Sequence, residues 1–176
     1  MTTTARSPIT SPINREAQDI TGKALQGTLV DLVDLHLMAK QTHWNVLGRF
    51  FRSVHQQLDE LVTAARGFAD DVAERAATLG VPPDARAKTV AQDSNVPDPG
   101  EGWKGTREVV EDVVEALGKV IQRLRARIDE TDKTDQVTQD LLISVAHSLE
   151  KQHWMWQAQL ADEGEVPQAR EGETSR

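Results

Sequence analysis

The sequence predicts an all-α fold: a four-helix bundle with one long crossover that carries a short extra helix. Three observations predict it. Apolar residues recur at steps of three and four along four long stretches, the spacing that collects them on one side of an α-helix. Gly80 and Pro82-Pro83 close the second stretch with residues that end helices. Residues 81–102 then form a connection too long for a tight turn, and in a bundle such a crossover lets the helices it joins run in the same direction. At 176 residues the chain is long enough for one such domain with a full core. Its expected limits are residues 15–161, between a Thr-, Ser- and Pro-rich N-terminal tail (1–14), expected to be mobile, and an acidic C-terminal tail (162–176).

The first helix is expected from Asn14 or Arg15 to about Gln41, with Leu25, Leu29, Leu32, His36, Ala39 and His43 along one stripe. His43 therefore continues a core-facing stripe, and His36, on the same stripe, is expected to be a hydrogen-bonded interior or interface histidine. The second helix, residues 50–79, contains no proline and buries Leu58, Leu61, Val62, Ala65, Phe68, Ala69 and Val72. The short crossover helix is placed within residues 86–92. A third helix starts near Gly105 or Thr106 and runs to about Asp129, turning Val109, Val113, Leu117, Val120, Ile121, Leu124 and Ile128 inward. The fourth, residues 134–160, presents Val137, Leu141, Val145, Leu149, Trp156 and Leu160.

The chemistry concentrates between His43 and Arg75. At about 100° per residue, His55, Asp59, Asp70 and Glu74 fall at roughly 0°, 40°, 60° and 100° around the second helix, so one face carries all four. Histidine nitrogen with carboxylate oxygen suits iron, manganese or zinc rather than calcium. Taken singly, an acid on a long helix is usually solvated and a histidine beside an apolar stripe is usually packed; together in register they make a candidate metal set. Asp59 and Asp70 are separated by ~16 Å of helix rise, too far for one ion to touch both. A second copy of the helix, packed antiparallel across a two-fold axis, removes the difficulty. Position 55 then faces 74 and 59 faces 70, because the two pairs share a midpoint between the small residues Ala64 and Ala65. Such an isologous dimer holds two identical sites, and His43 completes each once Gly48 turns the chain.

These residues resemble the motif of the Dps mini-ferritins, a family of the ferritin-like superfamily: His43-Trp44-Asn45, Gly48, His55, Asp59, Asp70 and Glu74-Arg75 follow that family's pattern. The resemblance implies a ferroxidase centre in which His43, His55 and Asp59 of one subunit face Asp70 and Glu74 of its two-fold mate. It also implies a ferritin-like bundle assembled from such dimers into a hollow homododecamer. There Fe(II) is oxidised mainly by hydrogen peroxide and Fe(III) mineralises inside, which protects against oxidative stress. Acids near the start of the last helix line three-fold pores in Dps cages, which nominates Asp140 first and Asp135 next. Trp44 has two expected roles: an apolar anchor at a helix end or interface, or, by resemblance, an electron donor that captures oxidising equivalents leaving the centre.

Composition sets other classes aside. The net charge of −8 opposes attachment to phosphate backbones or anionic membranes and attracts cations. Some Dps relatives bind DNA through lysine-rich tails. Here only Arg6 precedes Arg15, and the chain from Ala161 onward is dominated by acids, so DNA binding is expected to be weak or absent. That disfavours the rival function, a nucleoid-condensing DNA-binding protein with secondary iron chemistry. The lack of cysteine excludes a disulfide scaffold and thiol catalysis. With no run of ~20 apolar residues and no apolar signal-peptide core at the start, a cytoplasmic location is expected, with nucleoid association as the alternative within it. Glu150-x-x-His153 matches one unit of an intrasubunit di-iron bundle, but that architecture requires two, and no second Glu-x-x-His exists, so a surface role is expected. A purely structural bundle is the remaining alternative, in which replacing His43, His55 and Asp59 alters nothing but stability.

Overall fold

The computed structural model describes residues 8–161, which form five α-helices and one pair of two-residue strands. Both the acidic stretch 162–176 and Arg6 lie outside the described residues. The first long helix, α1 (Arg15–Asn45), opens on Asn14, whose side chain accepts a hydrogen bond from the Ala17 N–H at 2.9 Å. This satisfies one of the donors that a helix start leaves unpaired. Ile13 packs against the core, although it lies within the segment assigned to the N-terminal tail. The helix outlasts the expected end near Gln41 by a full turn, because Thr42 and His43 prolong its buried stripe.

After β1 (Val46–Leu47), Gly48 reverses the chain at φ +125°, a conformation open to glycine and costly for other residues. The next helix, α2 (Phe51–Thr78), finishes in a Schellman motif. There the Gly80 N–H donates to the Ala77 carbonyl at 2.9 Å, the Val81 N–H donates to the Ala76 carbonyl at 3.0 Å, and Gly80 sits at φ +75°. The crossover carries α3 (Ala87–Asp93), one residue from its expected place. It leads through β2 (Lys104–Gly105) into α4 (Thr106–Thr131), and α5 (Gln136–Gln157) follows.

β1 and β2 pair in parallel, Val46 with Lys104 and Leu47 with Gly105. Since α2 starts just after β1 and α4 directly after β2, both helices leave the same end of the bundle and run the same way. α1 packs chiefly on α2 and α4 chiefly on α5, while α1 and α4 join the two hairpins. Leu32 and Leu35 of α1, Leu58 and Leu61 of α2, Leu117 and Leu124 of α4, and Leu142, Leu149 and Trp156 of α5 are fully buried in one core. Val137 departs from expectation: it is 62% exposed, because the first turn of α5 turns Thr138 inward toward Asp135 and Arg75.

A buried ion cluster reinforces the α1–α4 contact. Asp31, 2% exposed, accepts two bonds from Arg123 at 2.8 and 3.0 Å and one from Arg127 at 2.7 Å. Gly27 makes room for it, since a Cβ there would stand 2.7 Å from an Arg127 guanidinium nitrogen.

Candidate metal centre

The reversal at Gly48 lays the last turn of α1 beside the first turns of α2, which brings His43 and His55 together. Each ring donates from Nδ1 to the other residue's backbone carbonyl at 2.9 Å, and the rings stack with centroids 3.6 Å apart and planes 21° apart. The His43 carbonyl is one of the last four in α1, which have no partner inside the helix, so His55 satisfies a group that would otherwise be orphaned. A carbonyl only accepts, so Nδ1 carries the proton in both rings. The neutral ring is then left with its lone pair on Nε2, the tautomer that ligates metal with its other nitrogen anchored. Phe51 lies against His55 at 4.8 Å and covers one side of the pair.

Asp59 follows His55 by one turn. Its Oδ1 lies 3.3 Å from His43 Nδ1 and 2.5 Å from the Lys40 ammonium. The hydrogen bond from Lys40 holds the Asp59 carboxyl below the usual carboxylate range; partial burial opposes this, and the charges of His43, Lys40 and His55 add to it. His43 is buried at 6% exposure while His55 and Asp59 are half-buried, so the cluster stands at the margin of the bundle. The residues present suit a divalent cation: two imidazoles fixed through Nδ1 and an ionised carboxylate.

Asp70 and Glu74 are exposed farther along α2 and do not reach the histidines of their own chain. Among the described residues, no three His, Asp or Glu side chains of this chain converge to hold an ion. One helix thus carries an imidazole half and an acid half, separated by ~16 Å of rise between Asp59 and Asp70. The midpoint needs one correction. Ala65 is fully buried in its own chain's core, so it cannot form a seam with a second copy; Thr63, Ala64 and Gly67 are the small residues that reach the surface there.

Other expected residues take varied positions. Trp44 is 62% exposed, with its ring centroid 6.0 Å from the Lys40 ammonium, so it anchors nothing within its own chain. His36 is half-buried and interacts with the Leu32 backbone, as expected of a bonded histidine, although its Nδ1 lacks a well-formed hydrogen bond among the described residues. Burial and the nearby Arg66 charge push its pKa down. Asp135 does not fit a pore lining: it is buried, caps α5 by accepting from the Thr138 N–H and hydroxyl, and pairs with Arg75 at 2.6 Å. Asp140 is exposed, so the pore expectation passes to it. Glu150 pairs with Arg125 at 2.6 Å on the surface, as its bland assignment required.

Lys40 escaped the sequence argument. A lysine near a helix end reads as solvated, and its only signal was a position one turn before His43, on the same side of α1.

Comparison with known proteins agrees with this architecture. Residues 22–164 match the ferritin-like domain family. A DNA protection during starvation protein of Mycolicibacterium smegmatis is 37% identical over 155 residues, covering 86% of this chain and 82% of that protein. DNA protection during starvation protein 2 of Deinococcus radiodurans is 36% identical over 136 residues; the match covers 77% of this chain but only 56% of that protein's length. Among solved structures, a Dps protein of Streptomyces coelicolor superposes with a TM-score of 0.85 at 34% identity, covering 90% of this chain and 95% of that one. With the bundle, its crossover and the histidine pair in place, these likenesses show that the chain belongs to the Dps family of ferritin-like proteins.

Proposed function

We propose that this protein is a Dps-type ferroxidase and iron-storage protein that consumes hydrogen peroxide. Its family is in general one of iron storage and protection. The observation that carries the finer statement is the reciprocal bonding of His43 and His55, which fixes both rings through Nδ1 and leaves Nε2 as the ligating nitrogen of each, with the Asp59 carboxylate 3.3 Å from His43 Nδ1. Asp70 and Glu74 of a two-fold mate supply the remaining oxygen ligands, so that each dimer carries two equivalent centres.

Ferrous iron is the substrate. The acidic surface and the exposed carboxylates draw it in, and the imidazoles bind it through Nε2. Two ferrous ions each give one electron to a peroxide; its O–O bond breaks, protons from solvent complete two waters, and no hydroxyl radical is released. The ferric product passes into the cavity of a dodecamer and mineralises there. Trp44 donates an electron to any oxidising equivalent that escapes, a role its exposure and its adjacency to His43 support.

Peroxide-driven ferrous oxidation in an assembled His43→Ala, His55→Ala, Asp59→Ala variant tests this. A loss of at least ~100-fold, about 2.7 kcal/mol in barrier, is expected. Unchanged oxidation in an intact cage would leave only a structural bundle. The wild-type protein is expected to leave duplex DNA unretarded at ~0.15 M salt, where acidic surfaces are only partly screened.

A further inference from the structure

His36 stands where two hollows meet. An open groove of about 740 Å³ is bounded by α1, α2 and residues 96–99, and a smaller hollow of about 250 Å³ lies between α1 and α3; His36 lines both. Leu37 and Trp44 are exposed on the wall of the groove, and Val62 and Arg66 of α2 close its other side. On the angular count that puts His55 at 0° and Asp59 at roughly 40°, Arg66 falls at roughly 20°, on the face of α2 assigned to the two-fold mate. It lies only ~2 Å of helix rise from the midpoint of that pairing, so the two copies of Arg66 stand ~5 Å apart along the seam. A mate seated on α2 therefore also covers the groove.

Few groups there can neutralise a charged His36. On α1, Asp34 accepts from the Ser94 hydroxyl and Lys40 is held by Asp59. Residues 96–99 bring Asp98, which is exposed, while α3 and the turn before it bring only alanines and Val90. Arg66, from α2, has no carboxylate partner among the described residues. Burial first, then Arg66, disfavours the charged ring, and the Leu32 backbone and Asp34 oppose them more weakly.

We propose that His36 makes the two-fold contact acid-sensitive: the mate that covers the groove removes water from around the ring and brings a second Arg66 near it, so protonation of His36 loosens the dimer and parts the two halves of the shared centre. The proposal rests on the two-fold reading above and adds what regulates it. Neutral His36 leaves the contact at full strength above pH 6.5, and the contact weakens as pH falls below that value, because the separated chains bind the protons more readily.

Sedimentation equilibrium of the full chain between pH ~7.5 and ~5, with far-UV circular dichroism on the same samples, tests this. The concentration at which the wild-type assembly half dissociates is expected to rise at least ~10-fold across that range while helix content holds, since up to two protons enter per dimer. His36→Gln and His36→Leu are expected to keep that concentration flat, and Arg66→Gln to shrink the rise. A wild type still fully assembled at pH ~5, one that loses helix together with assembly, or His36 variants that come apart as the wild type does, would each overturn the acid sensitivity alone. A chain without two-fold association at pH ~7.5 overturns the two-fold reading, and the proposal with it.

Discussion

Two charged clusters tie α1 to its neighbours, and they differ in what they leave over. Around Asp31, each carboxylate oxygen accepts from Arg123 or Arg127 and the acid is out of solvent. The cluster is a strut between α1 and α4. Around Asp59, the partners are a half-exposed lysine and two rings whose second nitrogens have no partner among the described residues, at the margin of the bundle. That cluster has coordination capacity to spare. Acid and base are present in both; saturation and burial decide which one is structural and which is available to a substrate ion.

The comparison breaks first at Asp31. Asp31→Ala leaves two arginines facing each other without a counter-charge and is expected to cost about 3–5 kcal/mol in urea unfolding, with Co(II) affinity of the folded cage unchanged. A large loss of metal affinity there would erase the distinction. Next comes the acid half of α2. Asp70→Asn with Glu74→Gln is expected to lower ferrous oxidation by roughly 100-fold, while stability stays within about 0.5 kcal/mol because both residues are exposed.

Asp135 sharpens the structural side. Burial pushes its carboxyl up, but the hydrogen bond from Thr138 and the Arg75 guanidinium overcome this and hold it below the ordinary aspartate value of 3.8. Its contribution is therefore complete above that value and is lost as pH falls below it. Asp135→Ala is expected to cost about 1–2 kcal/mol at pH 7, the worth of a helix cap, and acid titration of unfolding should show the difference from wild type shrinking below pH ~4. The smallest effect is expected at His36. Burial first, then Arg66, lowers its pKa from 6.5 against weaker opposing effects of the Leu32 backbone hydrogen bond and Asp34, so the unfolded chain binds more protons as pH drops through that value. Wild-type stability should thus fall more steeply between pH 7 and 5 than that of His36→Leu.

The sequence carried the helices because their periodicity is local. The crossover helix was legible from its turn formers to within one residue, and His43 was rightly assigned to a buried stripe. Pairing of Val46–Leu47 with Lys104–Gly105 was not legible, since two residues hold no period and their partners lie far along the chain. Nor was the exchange of bonds between His43 and His55, which depends on how α1 and α2 pack. Ala65 was misjudged for a related reason: a stripe assigns a face but does not say which copy's core a small residue enters.

The shared centre can be tested most directly by mixing two inactive variants during assembly, one carrying His43→Ala and His55→Ala, the other Asp70→Asn and Glu74→Gln. Half of the two-fold dimers in an equal mixture combine both variants, and each such dimer regains one intact centre of two. Ferrous oxidation should therefore return to about a quarter of wild type although either parent alone is inactive. A mixture as inactive as its parents, with mixed dimers confirmed by mass, would contradict a centre built from two subunits.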